Sequence, residues 1–299
     1  MIAVDWGGSS LRAYRLDAEG GIAALRRSGD GALGCGGRFG EILAGLLEGW
    51  DDPLVVLCGM VGARGGWVEV PYVDCPAGLD TLAAGMQRLS PPSLPGGLAW
   101  RELWCVPGMA DRTQPAADVM RGEETQIAGL LDALGDGEHR ICLPGTHSKW
   151  VRVRDGAVVR ISTAMTGELY GLLRRHSILG QTMPADEPHF DVAAFDAGLR
   201  DEGAAGGLLH DLFGVRTAAL FGRFPAPALP SYLSGLLVGH ELRAALAAWP
   251  GGPVHLLGSD ALLERYAHAL GAAGVAVHRH REQLAAAGLH RLARVRGLA

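Results

Sequence analysis

The sequence predicts an α/β protein of two domains, each opening on the same strand–turn–strand unit. Three observations predict it. Ile2, Ala3, Val4 and Asp5 form a short apolar strand that ends in a carboxylate and enters the glycine–hydroxyl turn Trp6-Gly7-Gly8-Ser9-Ser10. Residues 11–16 then alternate apolar and polar, as a half-buried strand does, and 22–25 can pair with them. The arrangement returns at Ile141, Cys142 and Leu143, followed by Pro144-Gly145-Thr146-His147-Ser148, an alternating run over 149–154, the hairpin signal Asp155-Gly156 and a return strand over 157–161. Length is the third observation, because 299 residues suit two domains of ordinary size. The boundary falls in the polar stretch 132–138, which gives domains 1–135 and 136–299. A repeat of this kind suggests a cleft between the copies. Both turns offer the N–H and hydroxyl donors that phosphate oxygens need.

Composition narrows the partners. Hydrophobic residues make up 48% of the chain and mean hydropathy is +0.15, so the chain folds rather than staying disordered. A net charge of −5 and a pI near 6.1 argue against a nucleic-acid or anionic-membrane partner, which needs a basic face. The five cysteines include no C-x-x-C pair and read as small core residues of a reduced, cytoplasmic protein. Asp5 interrupts the first apolar run, so no signal peptide is expected. Of 27 basic residues, 26 are arginine; the single lysine, Lys149, lies beside the second turn, where a compact ammonium can reach a phosphate.

Taken in order, the chain next offers Gly29-Asp30-Gly31-Ala32-Leu33-Gly34, a literal G-x-G-x-x-G. In dinucleotide folds that motif joins the first strand to its helix and an acid ends the next strand; here Asp51 and Asp52 precede the next strand, so the match reads as a decoy. A helix is expected over 39–50 and a fully buried strand over 54–58. That strand runs into the glycine-rich segment 59–67, a candidate substrate loop with Gly62 and Trp67, because ligands collect at the carboxyl ends of strands. A buried strand over 103–106 follows a Pro/Gly loop at 90–97. Arg121, Gly122, Glu123 and Glu124 then precede a helix over 125–134. The two glutamates are ordinary first-turn residues or a source of a general base. In the second half, Thr166, Gly167 and Glu168 lead into a helix over 170–179, and 181–189 reads as a loop. A helical stretch over 190–220 breaks at the glycines of 203–207. A buried helix at 231–249 carries His240, Glu241 and Arg243. A strand at 254–257 turns through Gly258 and Ser259, capped by Ser259 or Asp260, into a helix at 261–270; the turn could hold an adenine or ribose edge. The last strand is expected at 275–277 and the last helix at 282–295. His278 and His280 share one strand face and read as polar edge residues. No P-loop, G-x-S-x-G elbow or zincin histidine pair is present.

Together these segments resemble the sugar-kinase/Hsp70/actin superfamily and, within it, the 2-dehydro-3-deoxygalactonokinase family. The residues that carry the resemblance are Val4-Asp5-Trp6-Gly7, Gly59-Met60-Val61-Gly62 with Gly66-Trp67, Met120-Arg121-Gly122-Glu123-Glu124-Thr125-Gln126, Pro144-Gly145-Thr146-His147-Ser148-Lys149-Trp150, Met165-Thr166-Gly167-Glu168-Leu169 and Ser234-Gly235-Leu236-Leu237. Two departures are Ala63, where the family often has serine, and Ser148, where it often has cysteine. Arg64 thus neighbours a variable position and is not assigned the substrate carboxylate.

The resemblance implies a duplicated ribonuclease H-like fold of the actin/hexokinase type with an interdomain ATP cleft. It implies ATP-dependent phosphorylation of the 6-hydroxyl of 2-dehydro-3-deoxy-D-galactonate, with ATP and Mg2+ as cofactors. Asp5 would hold Mg2+ through water. Gly7, Gly8, Ser9 and Ser10 would cradle phosphates from one domain; Gly145, Thr146, His147 and Lys149 would do so from the other, with Gly258 and Ser259 near the adenosine. Glu123 or Glu124 would accept the hydroxyl proton. Gly62, Trp67, Arg121, Thr166 and Glu168 would face the sugar acid, Arg121 pairing with its carboxylate. A homodimer is compatible with this reading. The alternatives are a kinase of the same fold acting on another sugar or sugar acid, a non-metabolic actin-like ATPase, and a dinucleotide enzyme built on residues 29–34.

Overall fold

The structure, a computed structural model, describes residues 1–90, 94–201, 206–280 and 283–299. Its first strands are β1 (Ile2–Trp6), β2 (Leu11–Leu16) and β3 (Ile22–Ser28), followed by α1 (Phe39–Leu46), β4 (Leu54–Gly59), β5 (Val73–Asp74), α2 (Leu79–Gly85), β6 (Gln87–Arg88), α3 (Gly96–Ala99), β7 (Glu102–Cys105), β8 (Met109–Asp111), β9 (Asp118–Met120) and α4 (Glu123–Leu134). The rest comprises β10 (Glu138–Leu143), β11 (Ser148–Arg154), β12 (Ala157–Ala164), α5 (Thr166–His176), α6 (Val192–Asp201), α7 (Gly207–Leu220), α8 (Leu229–Ala248), β13 (Val254–Leu257), α9 (Asp260–Ala272), β14 (Val277–His280) and α10 (Leu284–Val295).

The duplication is visible in strand order. One sheet runs β3-β2-β1-β4-β7 with β6 on its edge, and another runs β12-β11-β10-β13-β14. In both, an antiparallel hairpin leads the sheet and parallel strands continue it. β1 pairs antiparallel with β2 and parallel with β4, and β13 pairs parallel with β10 and β14. A small third sheet, β5-β8-β9, was not foreseen from the sequence.

By packing, the chain divides into two compact units: 1–139 with 151–161 and 281–299, and 140–150 with 162–280. The first unit buries Ile2, Val4 and Trp6 of β1, Val55 and Leu57 of β4 and Leu103 of β7 against Phe39 and Leu43 of α1. Its last helix, α10, lies on α4 so closely that a Cβ on Gly288 would sit 1.9 Å from the Thr125 carbonyl oxygen. The second unit packs Trp150, Leu256 and Tyr266 with residues of α8 in one core, and α6, α7 and α8 in another.

Several boundaries differ from expectation. The helix foreseen at 39–50 stops at Leu46, and Gly49, at φ +75°, takes a left-handed turn before β4. The helix foreseen to enter at 166–168 and continue over 170–179 begins at Thr166 as expected but ends at His176. The last strand lies at Val277–His280 rather than 275–277, because Val254 pairs with Val277 and the strand continues from there. Part of the expected glycine break at 203–207, part of the loop at 90–97 and the first residue of the expected helix at 282–295 lie outside the described residues. α8 is buried as foreseen, and among the described residues no helix is long and apolar enough to cross a membrane. All five cysteines are buried and free.

The G-x-G-x-x-G has a structural use. It follows β3, an antiparallel strand, and folds under the first turn. Ala32 N–H donates to Gly7 O at 3.0 Å, Leu33 N–H to Gly8 O at 3.1 Å, and Trp6 Nε1–H to Asp30 O at 2.9 Å. A Cβ on Gly31 would sit 2.2 Å from Gly8 O, so only glycine fits there.

Candidate active site

In the first unit, the parallel register of β1 and β4 sets Asp5 opposite Cys58 and Trp6 opposite Gly59. Asp5 is thus at the carboxyl end of its strand, followed at once by Gly7, Gly8, Ser9 and Ser10. Its side chain is 19% exposed; Arg12 Nη1 lies 4.0 Å from Oδ2, and Cys58 Sγ donates to Oδ1 at 3.9 Å. Burial, and then the Asp5 and Glu124 carboxylates, push the Cys58 thiol well up, so it stays protonated. Gly59, at φ +89°, ends β4, and a Cβ on Gly122 would meet its Cα at 3.3 Å. The start of α4 is therefore packed against the end of β4.

The two glutamates there differ. Glu124 is fully buried. Its Oε2 accepts Gly122 N–H at 2.7 Å and its Oε1 accepts Thr125 Oγ1–H at 3.0 Å. Burial, and then the neighbouring Glu123, raise its pKa from 4.5 to about 8. Glu123 is half-buried and accepts Arg121 N–H at 3.0 Å. Both glutamates thus satisfy backbone donors at the helix start, and Glu123 alone of the two keeps contact with solvent.

Arg121 lies under the 60–72 segment. Its Nη2 donates to Val70 O at 2.6 Å and its guanidinium stacks on Tyr72, 4.3 Å from the ring centroid. A Cβ on Gly62 would meet Arg121 Nη1 at 3.1 Å. Nε and Nη1 are buried with no hydrogen-bond partner. Trp67 stacks on Phe39 at 6.3 Å and 8°, so its ring is used in core packing.

In the second unit, β10 ends at Leu143 and the turn Pro144-Gly145-Thr146-His147 leads into β11. Alternation along β11 puts Ser148 and Trp150 on one face and Lys149 on the other. Lys149 Nζ donates to Thr163 Oγ1 at 2.9 Å. α5 begins on top of the turn: Glu168 N–H donates to Thr146 O at 2.9 Å, and a Cβ on Gly167 would sit 2.4 Å from Gly145 O. Thr166 Oγ1–H donates to Glu241, and His147 Nε2–H to Glu168. The structure therefore brings Thr166 and Glu168, foreseen at the sugar, to the second turn. Gly258 is nearby as well, since a Cβ on it would be 3.6 Å from Pro144 O. Ser259 is the N-cap of α9 by backbone geometry but makes no side-chain cap bond.

Sequence reasoning missed Glu241 and Tyr266. Burial raises the Glu241 carboxyl, while hydroxyl and indole donors pull it back. The available signal was one acid in a helix apolar on all sides. His255 joins the other histidines, sharing a hydrogen bond of 2.9 Å between its Nδ1 and His280 Nε2 and lying 5.0 Å from the His278 ring. Among the described residues, no three His, Cys, Asp or Glu side chains form a group able to hold a metal ion.

The sequence matches the 2-keto-3-deoxy-galactonokinase family over residues 5–292. It is 39% identical over 284 residues to a protein of Rhizobium meliloti (strain 1021) assigned as a 2-dehydro-3-deoxygalactonokinase, covering 92% of this chain and 90% of that one. It is 33% identical over 244 residues to the 2-dehydro-3-deoxygalactonokinase of Escherichia coli (strain K12), covering 81% and 78%. A crystal structure from Sinorhizobium meliloti assigned to the same kinase superposes with a TM-score of 0.88 at 38% identity, over 98% of both chains. The activator of 2-hydroxyisocaproyl-CoA dehydratase from Clostridium difficile, solved with ADPNP, shares the fold alone: TM-score 0.54 at 11% identity, over 99% of this chain and 96% of that one.

Proposed function

The chain belongs to the 2-keto-3-deoxy-galactonokinase family, and on that premise we propose that it transfers the γ-phosphoryl group of ATP to the 6-hydroxyl of 2-dehydro-3-deoxy-D-galactonate. The observation that carries this reading is the paired architecture: two sheets of one strand order, each with a glycine–hydroxyl turn after its leading strand. Phosphoryl transfer asks a protein for positioning and for charge neutralisation more than for covalent chemistry. Residues 7–10 and 145–146 supply such donors, and both turns serve ATP phosphates in this proposal.

Asp5 fits a Mg2+ ion held through water. It is a single, partly exposed carboxylate at a strand end beside phosphate donors, and Mg2+ takes few carboxylates and keeps several waters. When bound, the ion neutralises phosphate charge. Glu123 takes the proton from the attacking hydroxyl. Glu124 is enclosed, its oxygens engaged with Gly122 and Thr125, and it is protonated below about pH 8. A base must reach the proton it removes. Arg121 takes the substrate carboxylate: two of its buried N–H groups lack a partner, which costs free energy that an anion would recover. Gly258 and Ser259 border the adenosine. A cytoplasmic location and a small sugar-acid partner belong to the same proposal.

The test is coupled ADP release across 2-keto-3-deoxy acids and plain hexoses. Release with the galacto acid, and none with hexoses, is expected. Release with hexoses alone would move the assignment to a neutral-sugar kinase.

A further inference from the structure

The most heavily engaged carboxylate of the second unit has no part in the reaction just described. Glu241 lies on α8 and is 8% exposed. Its Oε1 accepts Trp150 Nε1–H at 2.8 Å, and its Oε2 accepts Tyr266 O–H at 2.7 Å and the Thr166 hydroxyl. Ser148 Oγ shares a 3.0 Å hydrogen bond with the Tyr266 hydroxyl and also hydrogen-bonds Glu241 itself. Ser148 Oγ in turn accepts the Gly145 N–H at 3.4 Å. One carboxylate thereby orders a chain of hydrogen bonds that ends on the backbone of the turn.

We propose that Glu241 is the positioning residue of the second phosphate loop, holding Gly145 and Thr146 in place for ATP. It fixes three parts at once: the strand that leaves the loop, through Trp150; the helix start that lies on it, through Thr166; and the turn itself, through Tyr266 and Ser148. This rests on the reading of residues 144–149 as an ATP loop. An ionised carboxylate is acceptor-only, which suits a site where every neighbour donates. Charge-assisted hydrogen bonds in a low-dielectric interior are strong, and a network of them is rigid. A glutamine at this position would point an amide N–H at hydroxyls that already donate. Tyr266 would then have to accept, the Ser148 proton would turn elsewhere, and the turn would lose its fixed orientation.

The test compares Glu241→Gln and Tyr266→Phe with a control, Leu270→Ala, which removes side-chain bulk from the same core but no hydrogen bond of the network. For each, KM for ATP, KM for the sugar acid, kcat and the thermal midpoint are measured. KM for ATP is expected to rise about tenfold in both network variants, the effect of one charged hydrogen bond. KM for the sugar acid should stay put, and the double variant should be no worse than the larger single. Leu270→Ala should lose thermal stability at unchanged KM for ATP. Tyr266→Phe keeps its ring in the core, so it carries the test if Glu241→Gln does not fold. The proposal is overturned if the network variants leave KM for ATP where it was, or if the control raises it equally. A wild-type chain that releases no ADP with any sugar acid would instead overturn the kinase reading beneath it.

Discussion

The two glycine–hydroxyl turns look alike in sequence and both are met by backbone, but only the second is also tied to a buried side-chain network. The first, at residues 6–10, rests on backbone: the 29–34 loop donates two main-chain N–H groups to Gly7 and Gly8, and Gly31 leaves no space for a side chain. The second, at 144–148, likewise takes a main-chain N–H, from Glu168 to Thr146 O, and leaves no space for a side chain at Gly167, but it adds side chains: Ser148, Tyr266, Thr166 and, beneath them, Glu241. A backbone-held turn has a shape that few side-chain changes can reach. A turn tied also to one buried carboxylate can be altered by changing a residue far along the chain. The first turn also stands beside the acids, Asp5 and the Glu123–Glu124 pair, whereas at the second turn Glu168 is bonded to His147 and Glu241 lies beneath, in the positioning role proposed above. In the proposed mechanism the labour divides: metal and proton chemistry with the first turn, an adjustable cradle with the second.

The largest test of that division is Glu123→Gln. Loss of a general base should lower kcat by about 10²–10⁴-fold with KM for ATP unchanged. Steady-state kinetics check it, and a drop of only a few fold would take proton transfer away from the first unit. Next comes Gly31→Ala, whose Cβ meets backbone that cannot yield. Unfolding in denaturant should show a loss of about 1–3 kcal/mol; no loss would show that the first turn is not backbone-held. Arg121→Lys keeps the charge but loses the fork, and should raise KM for the sugar acid about tenfold while sparing KM for ATP. An equal rise in both would make the arginine a general prop.

A pH effect follows in size. Folded Glu124 keeps its proton to about pH 8, while the unfolded chain releases it near 4.5. Between those values the folded state binds more protons, so this group's contribution to stability falls as pH rises. Thermal midpoints measured from pH 5 to 8 should therefore decline less steeply in Glu124→Gln than in wild type, and parallel curves would contradict the assignment. The smallest effect is expected at Gly145→Ala. Nothing lies within 4 Å of its would-be Cβ, so stability should change by less than about 0.5 kcal/mol. Weaker ATP binding in a variant that folds normally would then report a phosphate brought to that space.

Much of this was legible in the sequence because it is local. Period-two alternation after each turn gave both hairpins; the wholly apolar run at 54–58 gave β4, and the run at 254–257, apolar but for His255, gave β13, both buried on both faces. The acidic start of α4 was visible as residue types, yet not which glutamate is enclosed: that depends on the packing of Gly122 against Gly59. The Glu241 network could not be read, because Trp150, Thr166 and Tyr266 approach it from separate stretches of chain and no spacing rule links them. The contact of Thr166 and Glu168 with the second turn follows from Gly167, whose missing side chain lets α5 start against Gly145, a tertiary fact without a local signal. The small β5-β8-β9 sheet was missed because two- and three-residue strands carry no periodicity.

The most direct test of the central claim locates the transferred phosphate. Incubation of the protein with ATP, Mg2+ and 2-dehydro-3-deoxy-D-galactonate should yield one product whose phosphorus couples, by 31P–1H NMR, to the protons on C6. Phosphorus appearing only as free inorganic phosphate, or on another carbon, would contradict the account.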